Sequence, residues 1–355
     1  MNAPVRLTQS VRAVDLHDAG EARRIEGFVR EHGASLFHRP AWLLGVEAGT
    51  GQRAAGFVAE RMGTITGWLP LTEARSALFG KALVSSGFGV GGGICTGDAD
   101  AIICLAEAAE RHAAARGFGS VELRGGVIPE RPGWRQWSDR HCGFERRLAE
   151  DDESELLAIP RKARAEVRKG IANALRVHVG RERRDLAAHY AVYSQSVRNL
   201  GTPVFPKKLF AAMLAAFPRE SDILTVYAGG TPIASVLSFY HAGAVMPFWG
   251  GGTFAARSRR ANELMYYELM LHARKRGMER FDFGRSKTGS GPFRFKKNWG
   301  FTPEPLTYGA WDAPGEAARD VDPTSAAHAR RIALWKKLPL PVANLIGPPI
   351  ARGLA

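Results

Sequence analysis

The segment from residue 284 to residue 301 collects the side chains with the most chemistry in this sequence. It reads GRSKTGSGPFRFKKNWGF and follows an alternating, strand-like run that includes Asp282. Small, turn-forming residues alternate there with residues that have polar side chains, namely Arg285, Ser286, Lys287, Arg294, Lys296 and Lys297. Polar groups just past the end of a buried strand usually line a cleft. We therefore predict a functional cleft at this segment.

Familiar nucleotide and nucleophile motifs do not explain the segment. Gly284 and Gly289 have the spacing of a P-loop, but Ser290 stands where that motif has lysine. The stretch that begins Gly284-Arg-Ser286 lacks the closing glycine of a nucleophile elbow. A covalent serine mechanism is therefore disfavoured.

A catalytic metal is not expected either. The ten histidines form no H-E-x-x-H or H-x-H pattern. Cys95, Cys104 and Cys142 form no C-x-x-C pair and lie in apolar surroundings, which favours reduced core thiols. The glycine run at 87–93 lacks the acidic partner and strand-turn-helix context of a dinucleotide site, so we interpret it as a bulged turn.

A second basic run follows Pro160 and reads RKARAEVRKGIANALRV. With proline at the first helical turn, Arg161, Arg164 and Arg168 share one helix face, and Lys162 lies beside them. The apolar stripe of this helix is predicted to be Ala163, Val167, Ile171 and Ala174. Arginine forks bind phosphate oxygens in pairs, so the row suits a pyrophosphate or an RNA backbone. A solvated charged face is the alternative.

Two further candidates for substrate contact lie between and within helical patterns. Thr202 belongs to the Gly201-Thr-Pro203 turn, which forms either one wall of an acceptor pocket or a plain connection between helices. Tyr267 lies on the helix predicted for 262–276.

The elements that position these residues belong to an internal repeat. Gly91 to Gly93 recur as Gly250 to Gly252, Gly117 recurs as Gly277, and Gly143 recurs as Gly300, each at an offset of about 160 residues. Each copy reads as a strand hairpin, a glycine-rich turn, an amphipathic helix closed by glycine, and an alternating strand. The sequence predicts an α/β (α+β) fold with a first domain at 1–150, a second domain with the active site at 151–312, and a flexible, basic and apolar tail at 313–355.

Composition and charge limit the setting. The chain is 45% hydrophobic and 24% charged, as globular proteins are, and its net charge of +14 favours partners that carry phosphate or serves solubility alone. No signal peptide and no apolar run of about 18 residues is recognisable, so we expect a cytoplasmic protein. The tail either packs against a domain or makes peripheral contact with the inner membrane through Trp335, Leu338 and Ile346.

The chain resembles the Fem-like (FemAB/FemX) peptidyltransferases over roughly residues 30 to 310. The resemblance rests on the duplication, on ANELMYYELMLHARKRGMERFDFG and on PFRFKKNWGF. LGTPVFPKKLF and LPLPVANLIGPPIARGL are similar to Fem-like proteins associated with exosortase (PEP-CTERM) and exopolysaccharide systems. The resemblance implies two tandem Gcn5-type (GNAT) N-acyltransferase domains, each with a mixed, mostly antiparallel sheet flanked by helices.

The same resemblance implies an acyltransferase. It would move an acyl or aminoacyl group from acyl-CoA or aminoacyl-tRNA, with no tightly bound cofactor, to an amine of a cell-envelope or exopolysaccharide precursor. Where Gcn5-type enzymes hold the coenzyme A pyrophosphate with a glycine-containing turn, this chain has Arg257-Ser-Arg-Arg260-Ala-Asn262 without either glycine. The family's F-K-K lysine maps onto Lys296 or Lys297, and its basic helix maps onto 161–168.

In this scheme Lys296 or Lys297 stabilises the oxyanion, and Asp282, water or the substrate takes the proton of the amine. Arg285 and Arg294 are expected to hold donor phosphate or the tRNA end, and Arg161, Arg164 and Arg168 the acceptor pyrophosphate. Two alternatives remain open at this point: acyl-CoA-dependent N-acylation of an amino sugar, and a noncatalytic scaffold that binds polysaccharide or RNA.

Overall fold

The computed structural model describes residues 9–316 and 329–355. These residues form two compact units. The first unit contains the described chain up to Ser138, the segment that starts at Thr307, and Arg352–Ala355. The second contains Asp139–Leu306 and the later described chain up to Ala351.

The first unit is built on a mixed sheet with strand order β1-β2-β3-β4-β5-β15-β6. Its strands are β1 (Ser10–Ala13), β2 (Arg53–Arg61), β3 (Thr64–Ser76), β4 (Gly80–Val84), β5 (Ser120–Arg124), β6 (Trp134–Trp137) and β15 (Tyr308–Asp312). Only the pair β4 and β5 is parallel among the paired strands described there. Its helices are α1 (Ala19–Glu31), α2 (Pro40–Thr50) and α3 (Ala99–Arg116), with short 3-10 helices at Leu36–His38 and Arg352–Leu354.

The second unit has a mixed sheet with strand order β13-β7-β12-β11-β10-β9-β8, and β14 also pairs with β7. Its strands are β7 (His141–Arg147), β8 (Leu175–Gly180), β9 (Ser221–Ala228), β10 (Thr231–His241), β11 (Ala244–Gly252), β12 (Arg280–Asp282), β13 (Ser286–Lys287) and β14 (Pro303–Pro305). Its helices are α4 (Asp152–Ala158), α5 (Arg161–Ala172), α6 (Arg183–Leu200), α7 (Lys207–Ala216), α8 (Phe254–Ser258), α9 (Ala261–Lys275), α10 (Gly291–Asn298), α11 (Ala329–Trp335) and α12 (Leu340–Ala351).

Local sequence explains the main elements. Asp98 caps α3 by accepting from the N–H groups of Asp100 and Ala101, and Gly117 ends the helix with a φ of 65°. Gly229 and Gly230, both at positive φ, make the turn between β9 and β10. Ala242 and Gly243 make the next turn in the same conformation.

The predicted fold class is confirmed. Both units have a mostly antiparallel mixed sheet flanked by helices. Strand, two helices, three strands, helix and strand follow one another in both units, from β1 to β5 and from β8 to β12, except that the second unit has the additional short helix α8 before α9. Gly117 and Gly277 end the corresponding helices α3 and α9 at positive φ. The third anchor is not equivalent, because Gly143 lies in a strand whereas Gly300 follows a helix.

The units do not coincide with the boundaries predicted at residues 150 and 312. Strand β7 precedes the first of these positions in the chain but pairs with β12, β13 and β14 in the second unit. Strand β15 comes at the end of the second copy but lies between β5 and β6 in the first sheet. The two copies have therefore exchanged strands.

The predicted tail contains ordered helices. Helix α12 packs against α6, with Ala343, Gly347 and Ala351 buried and Asn344 Nδ2 donating to Ser194 Oγ at 3.4 Å. This corresponds to the packed alternative for that part of the tail. The expectation of flexibility for 317–328 lies outside the described residues. In the described part of the chain, no helix is both long and apolar enough to cross a membrane.

Candidate active site

An opening in the second sheet begins where β11 and β12 separate. The two strands run parallel and pair only at Ala244 with Arg280 and at Val245 with Phe281. Strand β11 then continues to Gly252, whereas β12 ends at Asp282. The polar segment that follows Asp282 therefore starts beside a stretch of β11 to which β12 is not paired.

A β-bulge in β11 lies along this stretch. Leu237 of β10 is opposite Trp249, and the next residue, Ser238, is opposite Pro247, so Phe248 is the extra residue. A bulge bends its strand and redirects the neighbouring groups, and bulges are frequent beside active sites. The bulge is thus a local feature that positions the opening.

Asp282 ends β12 with its carboxylate held in place. Its Oδ1 accepts a hydrogen bond from the N–H of Gly284 at 2.8 Å, across a turn in which Gly284 has a φ of 69°. Burial raises the pKa of the Asp282 carboxyl to about 6, against the opposing effects of that hydrogen bond and of Lys296. The group can therefore exchange a proton near neutral pH.

Lys296 reaches the same turn from α10. Ser290 caps this helix by accepting from the N–H of Phe293 at 3.3 Å, and Pro292 occupies its first turn. The Lys296 side chain is buried, and its Nζ donates to the carbonyl oxygens of Gly284 and Arg285, at 3.0 Å each. Burial lowers the pKa of Lys296 to about 8, although Asp282 favours its charged form.

Aromatic rings surround this lysine. Its Nζ lies 5.3 Å from the ring centroid of Phe144 and 5.5 Å from that of Phe283. Trp299 and Phe301 pack against Phe283 in the same cluster. A carboxyl whose pKa is raised and an ammonium whose pKa is lowered, at one turn within an apolar shell, are suited to acid-base chemistry.

The other residues predicted from this segment are placed differently. Ser286 is buried in β13, and its Oγ has no hydrogen-bond partner among the described residues. Arg285 and Lys287 are half-buried. Lys297 and Arg294 are exposed, and Arg294 donates to the carbonyl of Gly289 at 3.3 Å. Of the two candidate lysines, only Lys296 therefore lies at the Gly284 turn.

The basic helix α5 presents most of its predicted row to solvent. Arg161, Lys162 and Arg168 are exposed, and Arg164 is half-buried with its guanidinium donating to the carbonyl of Leu157 at 3.3 Å. The side chains remain available for an anionic ligand.

The predicted apolar stripe of α5 is wrong at one end. Val167 and Gly170 are the buried positions, whereas Ile171 is 48% exposed and Ala174 is exposed beyond the end of the helix. The reason is close packing at Gly170, where a Cβ would lie 2.8 Å from the carbonyl oxygen of Arg260. The helix therefore meets α9 through its glycine and turns Ile171 away.

The turn before α9, where the resemblance places a pyrophosphate, is occupied by the chain itself. Arg260 has a φ of 53° and its Nε lies 2.5 Å from Glu166 Oε2 on α5. Asn173 Nδ2 donates to the carbonyl of Arg259 at 2.8 Å. Glu263 adds a carboxyl to the first turn of α9, and burial raises its pKa. These contacts fill the place where a glycine turn would expose its backbone.

The two remaining candidates do not lie at the Gly284 turn. Tyr267 is a core residue, and its hydroxyl donates to the carbonyl of Asp152 at 3.1 Å, so the proposed substrate contact is corrected to a packing role. Thr202 is half-buried at the end of α6, where its N–H donates to Val197.

Sequence reasoning missed Tyr266, the neighbour of Tyr267. Its ring packs 4.7 Å from the ring of Phe283 and 6.2 Å from that of Trp299, and burial raises the pKa of its phenol to about 12. The paired tyrosines in the sequence were a signal, but only the helix orientation shows which one faces the cluster.

A buried polar chain elsewhere in the second unit was also missed. His189 Nδ1 lies 3.1 Å from Ser235 Oγ, which lies 2.9 Å from Thr225 Oγ1. The rings of Tyr193 and Phe210 enclose the imidazole, and burial lowers the pKa of His189 to about 3. His189 is therefore neutral and buried in the core, where we interpret it as a structural residue.

Within the described residues, no group of His, Cys, Asp and Glu side chains could hold a metal ion. The cysteines are free thiols; Cys142 is buried, whereas Cys95 and Cys104 are half-buried.

The first unit closes the equivalent opening between β4 and β5. The N–H of Ser85 donates to the carbonyl of Glu122 at 2.8 Å, and the N–H of Gly93 donates to that of Arg124 at 3.2 Å. A Cβ on Gly93 would lie 1.8 Å from the carbonyl oxygen of Gly125, so the glycine run packs directly against the β5 end. The chemistry of the chain is therefore expected in the second unit.

Comparisons with known proteins agree with that location. Residues 161–297 match the acetyltransferase (GNAT) domain family, so the second unit contains an acyltransferase domain and the chain is an acyltransferase. No curated protein matches the chain.

Several solved structures share the fold at low sequence identity. A crystal structure of FemX is 12% identical with a TM-score of 0.64, and the match covers 84% of this chain and 96% of FemX. A tandem GNAT protein from the clavulanic acid biosynthesis pathway is 12% identical (TM-score 0.58; 87% and 100% covered). The C-terminal domain of a putative lysylphosphatidylglycerol synthetase from Agrobacterium fabrum is 14% identical (TM-score 0.54; 83% and 93% covered).

Proposed function

We propose that the chain transfers an acyl or aminoacyl group from a phosphate-bearing donor to an amine of a cell-envelope or exopolysaccharide precursor. The observation that carries this proposal is the pair formed by Asp282 and Lys296 around the Gly284 turn, at the opening between β11 and β12. Acyl transfer to an amine needs both a proton acceptor and a positive charge for the oxyanion.

The two residues divide these tasks. The neutral amine attacks the carbonyl of the donor ester or thioester, and its proton passes to the Asp282 carboxylate. An ammonium group has three donors. Lys296 uses two of them on the carbonyls of Gly284 and Arg285, which leaves the third for the oxyanion. As the tetrahedral intermediate collapses, the new C–N bond remains, the C–O or C–S bond breaks, and the leaving group takes up the proton from Asp282, which restores the carboxylate.

The turn before α9 bears on the choice between acyl-CoA and aminoacyl-tRNA as the donor. GNAT domains generally use acyl-CoA. Here Arg260, its ion pair with Glu166 and the carboxyl of Glu263 occupy the place of a pyrophosphate-binding glycine turn. These features disfavour a coenzyme A pyrophosphate at this turn, and we propose aminoacyl-tRNA as the donor, with Arg285 and Arg294 near its terminal phosphates.

The acceptor is proposed to carry a pyrophosphate, for which the exposed row on α5 supplies Arg161, Lys162 and Arg168. Contact with the inner membrane would bring the enzyme to such precursors. Lys336 and Lys337 follow α11, and Leu345 of α12 is 76% exposed. Exposed cationic and apolar side chains in this segment suit an anionic bilayer surface.

One experiment tests donor and acceptor together. The purified chain is incubated in a cell extract with either labelled aminoacyl-tRNA or labelled acyl-CoA, and the label is followed into amine products. We expect transfer from aminoacyl-tRNA into a pyrophosphate-linked precursor. Transfer from acyl-CoA alone, into a free amino sugar, would replace the proposal with thioester-dependent N-acylation. Binding of precursor without transfer from either donor would reject catalysis at this site.

A further inference from the structure

Arginine makes up half of the residues that line a cavity in the first unit. This cavity has a volume of about 510 Å³ and lies where the end of α2, the start of β2, the end of β3, the end of α3 and the 3-10 helix at Arg352 meet. Its lining residues are Thr50, Gly51, Gln52, Arg53, Glu73, Arg75, Arg116 and Arg352. All of them belong to the first unit. Pockets of this size hold small-molecule ligands in many proteins.

The charges in this cavity, which we call the arginine cavity, are not balanced. Arg75 and Arg116 share one carboxylate, since Glu73 lies 3.2 Å from the first and 3.8 Å from the second. Arg53 and Arg352 form no ion pair within the described residues. Four arginines therefore line the cavity with a single carboxylate, which leaves a surplus of positive charge.

Glu73 is ionised in this setting. Burial opposes its ionisation, but hydrogen bonds from His112 and Arg75 and the charges of Arg116 and Arg53 lower its pKa overall. The carboxylate thus anchors two of the arginines instead of neutralising the whole cavity.

The cavity wall is held in place by Gln52. This side chain is 5% exposed, and its Nε2 donates to the carbonyls of Arg75 and Arg352, at 3.0 and 2.8 Å. Its Oε1 accepts from the N–H of Arg75 at 2.8 Å. The guanidinium of Arg75 also lies 4.4 Å from the ring centroid of Phe118, a cation–π contact that restricts it further. The backbones of two arginines on separate elements are therefore fixed relative to each other.

We propose that the arginine cavity is a binding site for a pyrophosphate-type anion. Guanidinium groups bind phosphate oxygens in a bidentate manner, and several converging groups suit an anion with more than one phosphate. Among the described residues that line the cavity none is aromatic, so the ligand is recognised by its phosphates rather than by a base or sugar ring. The site lies outside the Asp282 and Lys296 region, so its test does not depend on the proposed transfer reaction.

The test is a calorimetric titration of the full chain with inorganic pyrophosphate, at low salt and again near physiological salt. The double variant Arg53→Gln/Arg352→Gln removes two cavity cations that make no ion pair within the described residues. The matched control is Arg23→Gln/Arg30→Gln, which removes the same charge from positions on α1. Thermal unfolding verifies that each variant is folded.

We expect the cavity variant to bind pyrophosphate at least about tenfold more weakly than wild type, which corresponds to the loss of about 1.4 kcal/mol. The control variant is expected to stay within about twofold. No binding by wild type, or an equal loss in both variants, would overturn the proposal. Cavity-dependent binding of a single-stranded oligonucleotide without binding of pyrophosphate would overturn it in favour of a nucleic acid backbone.

Discussion

Lys296 Nζ lies 3.0 Å from the carbonyl oxygen of Gly284, the residue whose N–H is bound by the Asp282 carboxylate. One residue of the turn thus holds the acid through its amide and the lysine through its carbonyl. Whatever displaces the Gly284 turn is expected to move both groups at once.

Replacing Lys296 with methionine is expected to abolish most transfer, lowering kcat by roughly 10²- to 10³-fold because the oxyanion loses its cation. The change also leaves the carbonyls of Gly284 and Arg285 without this donor, which costs about 1–3 kcal/mol of unfolding free energy. Steady-state kinetics and chemical denaturation measure the two effects. Lys297→Met, the exposed neighbour, is the control and should alter neither by more than a small factor. Equal losses in both variants would contradict the role assigned to Lys296.

Replacing Asp282 with asparagine is expected to change the pH dependence of stability. The folded pKa of about 6 lies above the ordinary value of 3.8, so the folded state binds more protons between these pH values. The contribution of this group is therefore present below pH 3.8 and is lost as the pH rises through 6. The Asp282→Asn variant would remove that loss and raise the unfolding free energy at pH 8 by up to about 3 kcal/mol, while lowering transfer at least about 10²-fold. Urea denaturation of both proteins from about pH 4 to 8 measures the unfolding free energy. If its slope against pH were the same in the variant as in wild type, this would count against a raised pKa of Asp282.

The row on α5 is expected to affect substrate affinity and not turnover. The variant Arg161→Gln/Arg168→Gln should raise the KM for the acceptor by at least about 10²-fold, because charge-assisted hydrogen bonds to phosphate contribute about 1.5–3 kcal/mol each. The kcat should stay within about twofold. Lys207→Gln/Lys208→Gln on α7 removes the same charge elsewhere in the second unit. If neither variant changed the KM, the arginine row on α5 would serve solubility and not acceptor binding.

Gly170→Ala tests the contact between α5 and α9. The new Cβ would lie 2.8 Å from the carbonyl oxygen of Arg260 and 3.1 Å from Leu264 Cβ, so we expect destabilisation by about 1–3 kcal/mol in spite of alanine's helix propensity. Gly27→Ala in α1 meets nothing within 4 Å and should instead stabilise by up to about 1 kcal/mol. Thermal and urea denaturation of the pair should give opposite signs. Stabilisation by both would show that α5 has room to move.

His189 is expected to contribute to acid unfolding. Its folded pKa of about 3 lies below the ordinary value of 6.5, so the unfolded state binds the extra proton between these values. Its stabilising contribution is therefore complete above pH 6.5 and declines as the pH falls towards 3. His189→Phe should flatten this part of the stability curve. Far-UV circular dichroism during acid titration measures it, and an unchanged midpoint and slope would exclude buried neutral histidine as a cause.

Sequence patterns predicted local structure well where local chemistry determines it. The helix predicted from Asn262 to Arg276 is α9, at Ala261–Lys275, and Gly277 follows it at positive φ. Strand partners were not predictable in this way. The segments around Gly143 and Gly300 look alike, so the pattern assigns each to its own copy, whereas the pairing of strands depends on contacts far apart in the chain.

The sequence located the candidate site but left a choice between neighbouring residues. Lys296 and Lys297 are the same residue type in adjacent positions, and so are Tyr266 and Tyr267. A rotation of about 100° per residue decides which member of each pair faces the aromatic cluster, and that rotation is fixed by how the helix packs. The missing glycines before α9 already indicated an unusual turn in the sequence. The ion pair between Arg260 and Glu166 could not be predicted from it.

The exchange of β7 and β15 has a consequence for how this molecule can be divided. A truncated chain ending near residue 150 would keep β7 without its sheet and would leave β5 and β6 without the strand that joins them. A chain starting there would lack the strand that borders β12, on which Asp282 is paired with Glu145. A cut near residue 150 therefore leaves both sheets incomplete, whereas all strands of the second sheet lie within 139–306 and the first sheet needs the chain as far as β15.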